Sequence, residues 1–109
     1  MTRQLEILNE LFQILHAEAG LEYENLSCCF IPIGDEGERT AETEFVYTRQ
    51  GKVFNVGISD ENLFNVVELA IELQSDMKAH TGGEWIKFTL SVDESGKAKT
   101  VFDYPSEDQ

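Results

Sequence analysis

The order of apolar and polar positions changes its period several times along the chain, and each change predicts a new element. Between Arg3 and about Glu18, apolar residues recur every three or four positions, which is typical of a helix with one buried face. The recurring set is Leu5, Leu8, Phe12 and Leu15, and it is widened by Ile7, Leu11 and Ile14. Thr2 is the expected N-cap and Gly20 the expected end of this helix.

Three strands are predicted next. Glu22 to Ile33 carries apolar groups on both strand faces, which favours a central strand that is covered on both sides. Pro32 either ends this strand or marks an edge segment of it. Two alternating segments, Glu42 to Arg49 and Lys52 to Ile58, flank Gln50-Gly51 and predict a hairpin.

A second helix is predicted to begin at Ser59 or Asp60, either of which can cap it, and to end at Gly82-Gly83. Its expected buried stripe consists of Leu63, Val66, Val67, Ala70, Leu73 and Met77. The opposite face is polar and mostly acidic, with Glu61, Asn65, Glu68, Glu72 and Asp76.

The last third of the chain alternates with the period of a strand hairpin. The expected core side of its first strand is Ile86, Phe88, Leu90 and Val92, and the expected outer side is Trp85, Lys87, Thr89 and Ser91. Asp93 to Gly96 forms the turn and Lys97 to Tyr104 the returning strand.

The predicted order is therefore αβββαββ. This is an α+β fold with two helices packed on one face of a mostly antiparallel sheet. Residues 1–109 are expected to form a single domain, of which 105–109 are a short acidic tail.

Charge is the unusual feature of the composition. Eight Lys and Arg residues stand against 21 Asp and Glu residues, which gives a net charge of −13. This argues against nucleic acid and against an anionic membrane surface as partners, because both attract basic proteins. A basic protein partner is compatible with it. The sequence shows no long apolar run and no secretory leader, so a cytoplasmic location is expected.

Signals for chemistry are weak. The two cysteines, Cys28 and Cys29, are adjacent, so a structural disulfide between them is not expected. His16 and His80 are expected at the surface near helix ends, and a nucleophile–base pair with a cysteine is the less favoured interpretation. The acidic loop from Gly34 to Thr40 lacks the spacing of a calcium-binding EF-hand loop. We therefore expect no metal, no cofactor and no enzymatic activity.

The acidic surface is the strongest candidate site. Glu68, Glu72 and Asp76 lie along one helix face at intervals of four. A second group of candidate charge partners is formed by Glu36, Glu38, Glu42 and Glu44. Tyr47 and Trp85 are the candidate aromatic anchors, since interface hot spots favour these residue types. The alternatives are a solvated, solubilising surface for the acids and a core or edge-packing role for Trp85.

The segment from Trp85 to Tyr104 resembles the closing hairpin of the YezG-like immunity (antitoxin) family. The matching residues are Trp85, Thr89, Leu90, Gly96, Lys97, Phe102, Asp103 and Tyr104. Ala98 departs from the family, which usually has an aromatic residue at that point. The helices and the middle hairpin also occur in the order found in that family.

The resemblance implies a small, non-catalytic, cytoplasmic protein that binds the C-terminal toxin domain of a secreted polymorphic toxin, often a nuclease. The first hypothesis is therefore an immunity protein that neutralises a basic toxin domain by steric and electrostatic occlusion. The second is a non-catalytic interaction adaptor or chaperone that uses an exposed sheet edge. Both hypotheses leave a homodimer open.

Overall fold

Seven elements follow one another in the predicted order. The computed structural model describes residues 3–20, 22–34, 38–55 and 57–105. Its elements are α1 (Arg3–Glu18), β1 (Asn25–Ile33), β2 (Thr40–Arg49), β3 (Lys52–Asn55), α2 (Asp60–Thr81), β4 (Lys87–Val92) and β5 (Ala98–Asp103). The α+β class is confirmed. The expected cap Thr2 and most of the acidic tail lie outside the described residues.

The five strands form one sheet in the order β3-β2-β1-β4-β5, and all neighbours are antiparallel. The first strand is central, as its apolar sequence predicts. Its expected cover on both sides is wrong, because the helices pack on one face only. Leu26, Cys28 and Phe30 are buried beneath them, whereas Ser27 and Cys29 on the other face are only half-buried.

The central strand is longer than its partner on one side. β1 pairs with β2 along its whole length but with β4 only from Leu26 to Phe30. Pro32 lies beyond the end of that second ladder. The missing N–H of the proline therefore removes no bond to β4, which explains how a strand in the middle of the sheet tolerates it.

The core lies between the sheet and the two helices. Its fully buried large side chains include Ile7, Leu11 and Leu15 of α1 and Val66 and Leu73 of α2. They pack against a sheet layer made of Leu26, Phe30, Phe45, Phe88, Leu90 and Val92. Leu5, expected in the buried stripe, is 53% exposed, because the face that α1 buries is centred on the Ile7–Leu11–Leu15 row.

The predicted alternation of buried and exposed residues in the last hairpin is wrong at Trp85 and Ile86, which precede β4. Ile86, expected in the core, is 51% exposed, and Trp85, expected outside, is 0% exposed. The strand begins only at Lys87, so the two preceding residues do not follow its alternation. The indole of Trp85 packs 5.6 Å from the ring of Phe88 and 5.8 Å from that of Phe102, measured between centroids.

Two side chains join the ends of elements across the fold. Arg49 donates from Nε to the carbonyl of Glu22 (2.8 Å) and from Nη2 to the carbonyl of Ala19, and so holds the chain that follows α1. Glu18 accepts hydrogen bonds from the backbone N and Oγ of Ser59 (3.1 and 2.7 Å). Ser59 is at the N-cap as predicted, but its hydroxyl binds Glu18 and not the helix backbone.

We expect Trp85→Ala to lower the free energy of unfolding by about 3–5 kcal/mol, because it empties the centre of an aromatic cluster. Trp85→Phe should cost clearly less, since among the described residues the indole Nε1 has no hydrogen-bond acceptor to lose. Urea denaturation of the three proteins measures this. An equal loss in both variants would contradict the packing role.

Glu18 should make stability depend on pH. Burial raises the pKa of its carboxyl, but hydrogen bonds from Ser59 and Asn62 outweigh burial and hold that pKa below its ordinary value of 4.5. The stabilisation is therefore complete above pH 4.5 and is lost as the pH falls through the depressed pKa. Glu18→Gln should cost about 1 kcal/mol at pH 7. Urea titrations should show this difference shrinking below pH 4; a difference that is independent of pH would contradict it.

Candidate protein-binding surface

The acidic stripe predicted on α2 does not behave as a unit, because Glu72 is paired with Arg3, which also contacts Glu6 and Glu10 of α1. Arg3 of α1 donates to both of its carboxylate oxygens, from Nε to Oε2 at 2.6 Å and from Nη2 to Oε1 at 2.9 Å. The hydrogen bond with Arg3 is the main cause that lowers the pKa of Glu72. Such a two-point pair is the strongest geometry for an arginine and a carboxylate. Glu72 therefore ties α1 to α2.

The other two residues of the stripe differ from each other. Asp76 is half-buried, and its Oδ2 lies 3.7 Å from Nδ1 of His80. Glu68 is exposed and pairs with no cation among the described residues. Of the three predicted charge partners on this helix, Glu68 alone carries both full exposure and an unneutralised charge.

The acidic residues on β2 also lack a cationic partner among the described residues. Glu42 and Glu44 are exposed on the helix-free face of the sheet, opposite Ile31 and Cys29 of β1. Glu38, just before the strand, is exposed as well. No described side chain forms an ion pair with any of these three acids. Glu36, the fourth predicted partner of this group, lies outside the described residues.

These acids line a strand edge that has only one neighbour. β3 pairs with β2 from Val46 to Arg49 and stops there. Within the described part of the chain, Thr40–Glu44 is paired with β1 on one side and with no strand on the other. An unpaired edge presents backbone N–H and C=O groups that another chain can bind.

Two hollows run along this edge. One, of about 440 Å³, is lined by Ile31, Ala41, Glu42, Thr43, Glu44 and Leu63. The other, of about 410 Å³, is lined by Arg39, Thr40, Phe64, Val67, Glu68, Ile71 and Glu72. Ala41 and Leu63 line the first hollow, and their chain neighbours Thr40 and Phe64 line the second, so the two hollows adjoin. We call the residues of both hollows the β2–α2 surface.

Phe64 is the functional candidate that the sequence pattern missed. Its side chain is 68% exposed on α2, one residue after Leu63 and four before Glu68. The signal is present in the sequence, because Phe64 falls outside the predicted buried stripe and on the polar side of the helix. An exposed aromatic residue beside unpaired carboxylates is typical of a protein-binding surface.

The two predicted aromatic anchors are not exposed. Trp85 belongs to the core, and its expected role as a surface anchor is wrong for that reason. Tyr47 is 9% exposed and faces the helices, where its ring stacks on Phe54 at a centroid distance of 5.1 Å. Arg49 covers the Tyr47 ring at 5.3 Å. Both residues are therefore placed to support the fold.

Arg39 links the β2–α2 surface to a third hollow. Its Nη1 donates to the buried Gln74, and its Nη2 lies 2.6 Å from Oε2 of Glu84. Gln74 in turn donates to the carbonyl of Trp85 at 2.6 Å. This third hollow, of about 510 Å³, is bordered by the exposed side chains of Ile33, Ile86 and Tyr104. Because Arg39 is engaged by these partners, it does not neutralise the acids on β2.

Cys28 and His16, two residues whose types can carry chemistry, are engaged within the fold. Burial raises the pKa of the Cys28 thiol far above its usual range, so that thiol stays protonated. His16, expected at the surface, is instead half-buried, and its Nδ1 lies 2.8 Å from the hydroxyl of Tyr23. No group of three or more potential metal ligands occurs within the described ranges.

No family model matches the chain, and no curated protein matches it significantly. Neither helix of the described structure is both long and apolar enough to cross a membrane.

Phe64→Ser should leave the free energy of unfolding within about 0.5 kcal/mol of the original, because an exposed side chain contributes little to the core. Leu63→Ser, one residue earlier and half-buried against the core, should cost more than 1 kcal/mol. Thermal and urea unfolding compare the two. A large loss for Phe64→Ser would mean that this ring supports the fold and is not available to a partner.

Proposed function

We propose that this chain is an immunity protein that binds and neutralises a basic toxin domain in the cytoplasm. The observation that carries the proposal is that the β2–α2 surface holds both an exposed apolar side chain, Phe64, and carboxylates that no cation in the described chain neutralises. Glu42, Glu44 and Glu68 are the members of that set that line the β2–α2 surface. Inhibition would be steric and electrostatic, without a chemical step.

The charge arrangement suits a partner with a basic groove or rim. Arg3 and Arg39 are held by Glu72 and Glu84, so the positive charges nearest the surface are already satisfied. The field of the remaining acids would attract a cationic protein before contact and raise the association rate. Phe64 would then supply apolar contact area, which charge alone does not provide.

The family resemblance supports the same function through residues that maintain the fold. Trp85 and Phe102 of the matching hairpin pack in the core, and Gly96 adopts a φ of +84° in the turn that joins β4 to β5. The residues that carry the resemblance therefore serve to form the β4–β5 hairpin and its packing in this chain. The acids of the β2–α2 surface lie outside the matching segment and would determine which toxin is bound.

One observation favours the second candidate, an adaptor or chaperone. The unpaired edge at Thr40–Glu44 is the kind of sheet edge to which such proteins add an extended segment of a client. The two functions differ in the partner: a chaperone would bind an unfolded client without suppressing an activity, whereas an immunity protein suppresses a toxic one.

The immunity function predicts protection of cells. We expect a neighbouring gene to encode a secreted protein with a basic C-terminal toxin domain. Co-expression with that domain should restore growth, and a toxin domain of an unrelated system should still kill. Growth curves at matched expression levels measure this. Continued killing by the cognate domain would contradict the proposal.

The surface predicts which charge reversals slow binding. Glu68→Lys should lower the association rate of the complex severalfold at low salt and weaken its salt dependence. Glu94→Lys changes the net charge by the same amount in the exposed β4–β5 turn, at the opposite edge of the sheet, and is the matched control. Stopped-flow kinetics compare them. Equal effects would show that only the total charge matters.

A further inference from the structure

We propose that the free edge of β2 receives an extended segment of the basic partner as a sixth strand, in which basic and apolar side chains alternate. The inference rests on the proposed function for the class of partner. The edge itself is a property of this chain, and it is tested below without any toxin.

The open edge is long enough to pair with another strand. Thr40–Glu44 extends past the end of β3, which pairs only as far as Val46. Five strand residues span roughly 17 Å at about 3.4 Å each, enough to pair with a short extended segment. The other side of this stretch is fixed by its ladder with Ile33 to Cys29 of β1. An incoming strand would therefore meet an edge that is already held in extended form.

The two faces of the sheet at that edge carry different side chains, acidic on one and uncharged on the other. Glu42 and Glu44 project on the helix-free face, so side chains of an added strand on this face would lie beside two carboxylates. Ala41 and Thr43 project on the helix face, beside Leu63 of α2. Residues of an added strand on that face would lie against Ala41, Thr43 and Leu63, three side chains that carry no charge. Because successive strand residues point to opposite faces, the fitting segment alternates.

A second copy of this chain is the other occupant that such an edge could take, and the charge of the edge opposes it. If two β2 edges paired antiparallel, the Glu42 and Glu44 side chains of one copy would lie beside those of the other. Like charges on neighbouring strands are destabilising. These acids therefore disfavour self-pairing through β2 and favour a cationic segment, which sets the occupant by charge.

The test uses a synthetic peptide that alternates lysine and valine over seven residues, with both ends blocked. Titration into the ¹⁵N-labelled full chain should shift the amide signals of Thr40–Glu44 and of the facing turn of α2. A peptide of the same composition with its lysines and valines in separate blocks should bind at least about tenfold more weakly. A fully N-methylated version, which cannot donate backbone hydrogen bonds, should also bind at least about tenfold more weakly.

Matched protein variants separate edge recognition from total charge. Glu42→Lys combined with Glu44→Lys should weaken binding of the alternating peptide about tenfold or more. Glu22→Lys combined with Glu94→Lys adds the same charge at exposed residues away from the free edge and should change the affinity less than twofold.

Three results would overturn the inference: equal affinity for the block or N-methylated peptide, shifts confined to other strands, or equal effects of the two double variants. Dimer formation in sedimentation, abolished by the Glu42 and Glu44 reversals, would replace the partner segment with a second copy. Because no toxin takes part, a failure here leaves the growth result intact, and a failed growth assay leaves this result intact.

Discussion

The unequal lengths of β2 and β3 are the constraint on which the rest of the structure depends. β2 spans Thr40–Arg49, but β3 is only Lys52–Asn55, because the chain must leave the sheet before α2 begins at Asp60. The core requires that departure: Val66, Ala70 and Leu73 of α2 are fully buried beside the sheet layer. Burial of that apolar helix face is the main stabilising force available to a domain of this size. The open edge at the start of β2 is thus a consequence of how the core closes.

Internal ion pairs determine where the negative charge remains available. Arg3 joins α1 to α2 through Glu72, and Arg39 joins the start of β2 to Gln74 and Glu84. Each pair leaves one carboxylate fewer that can form an ion pair with a binding partner. Among the acids left unpaired, Glu42 and Glu44 lie on the open edge of β2, and Glu68 lies beside Phe64 on α2. A net charge of −13 therefore acts on a partner mainly through the side chains that the fold leaves unpaired.

Periodicity was sufficient to predict the element order, the central place of β1 and a fold with both helices on one face of the sheet, but the apolar residues on the outer face of β1 wrongly indicated a second cover. It failed where an element ended early: Trp85 and Ile86 continue the alternation of β4 in sequence, but the strand begins at Lys87 and their burial is reversed. The acidic character of the site was predicted from the sequence, but the residues that belong to it were not. Helix spacing placed Glu72 on the acidic face, but spacing within one helix carries no information about Arg3 on another. The free edge depends on strand pairing, which the local pattern does not encode.

Binding of a basic partner at the β2–α2 surface is tested most directly by hydrogen–deuterium exchange of the complex. The account predicts slowed exchange of the backbone amides in Thr40–Glu44 and around Phe64 when the toxin domain is bound. The amides of the β4–β5 turn, at the far edge of the sheet, should exchange at the same rate in the free and bound chain. Protection confined to that turn or to β5, with unchanged exchange along the start of β2, would contradict it.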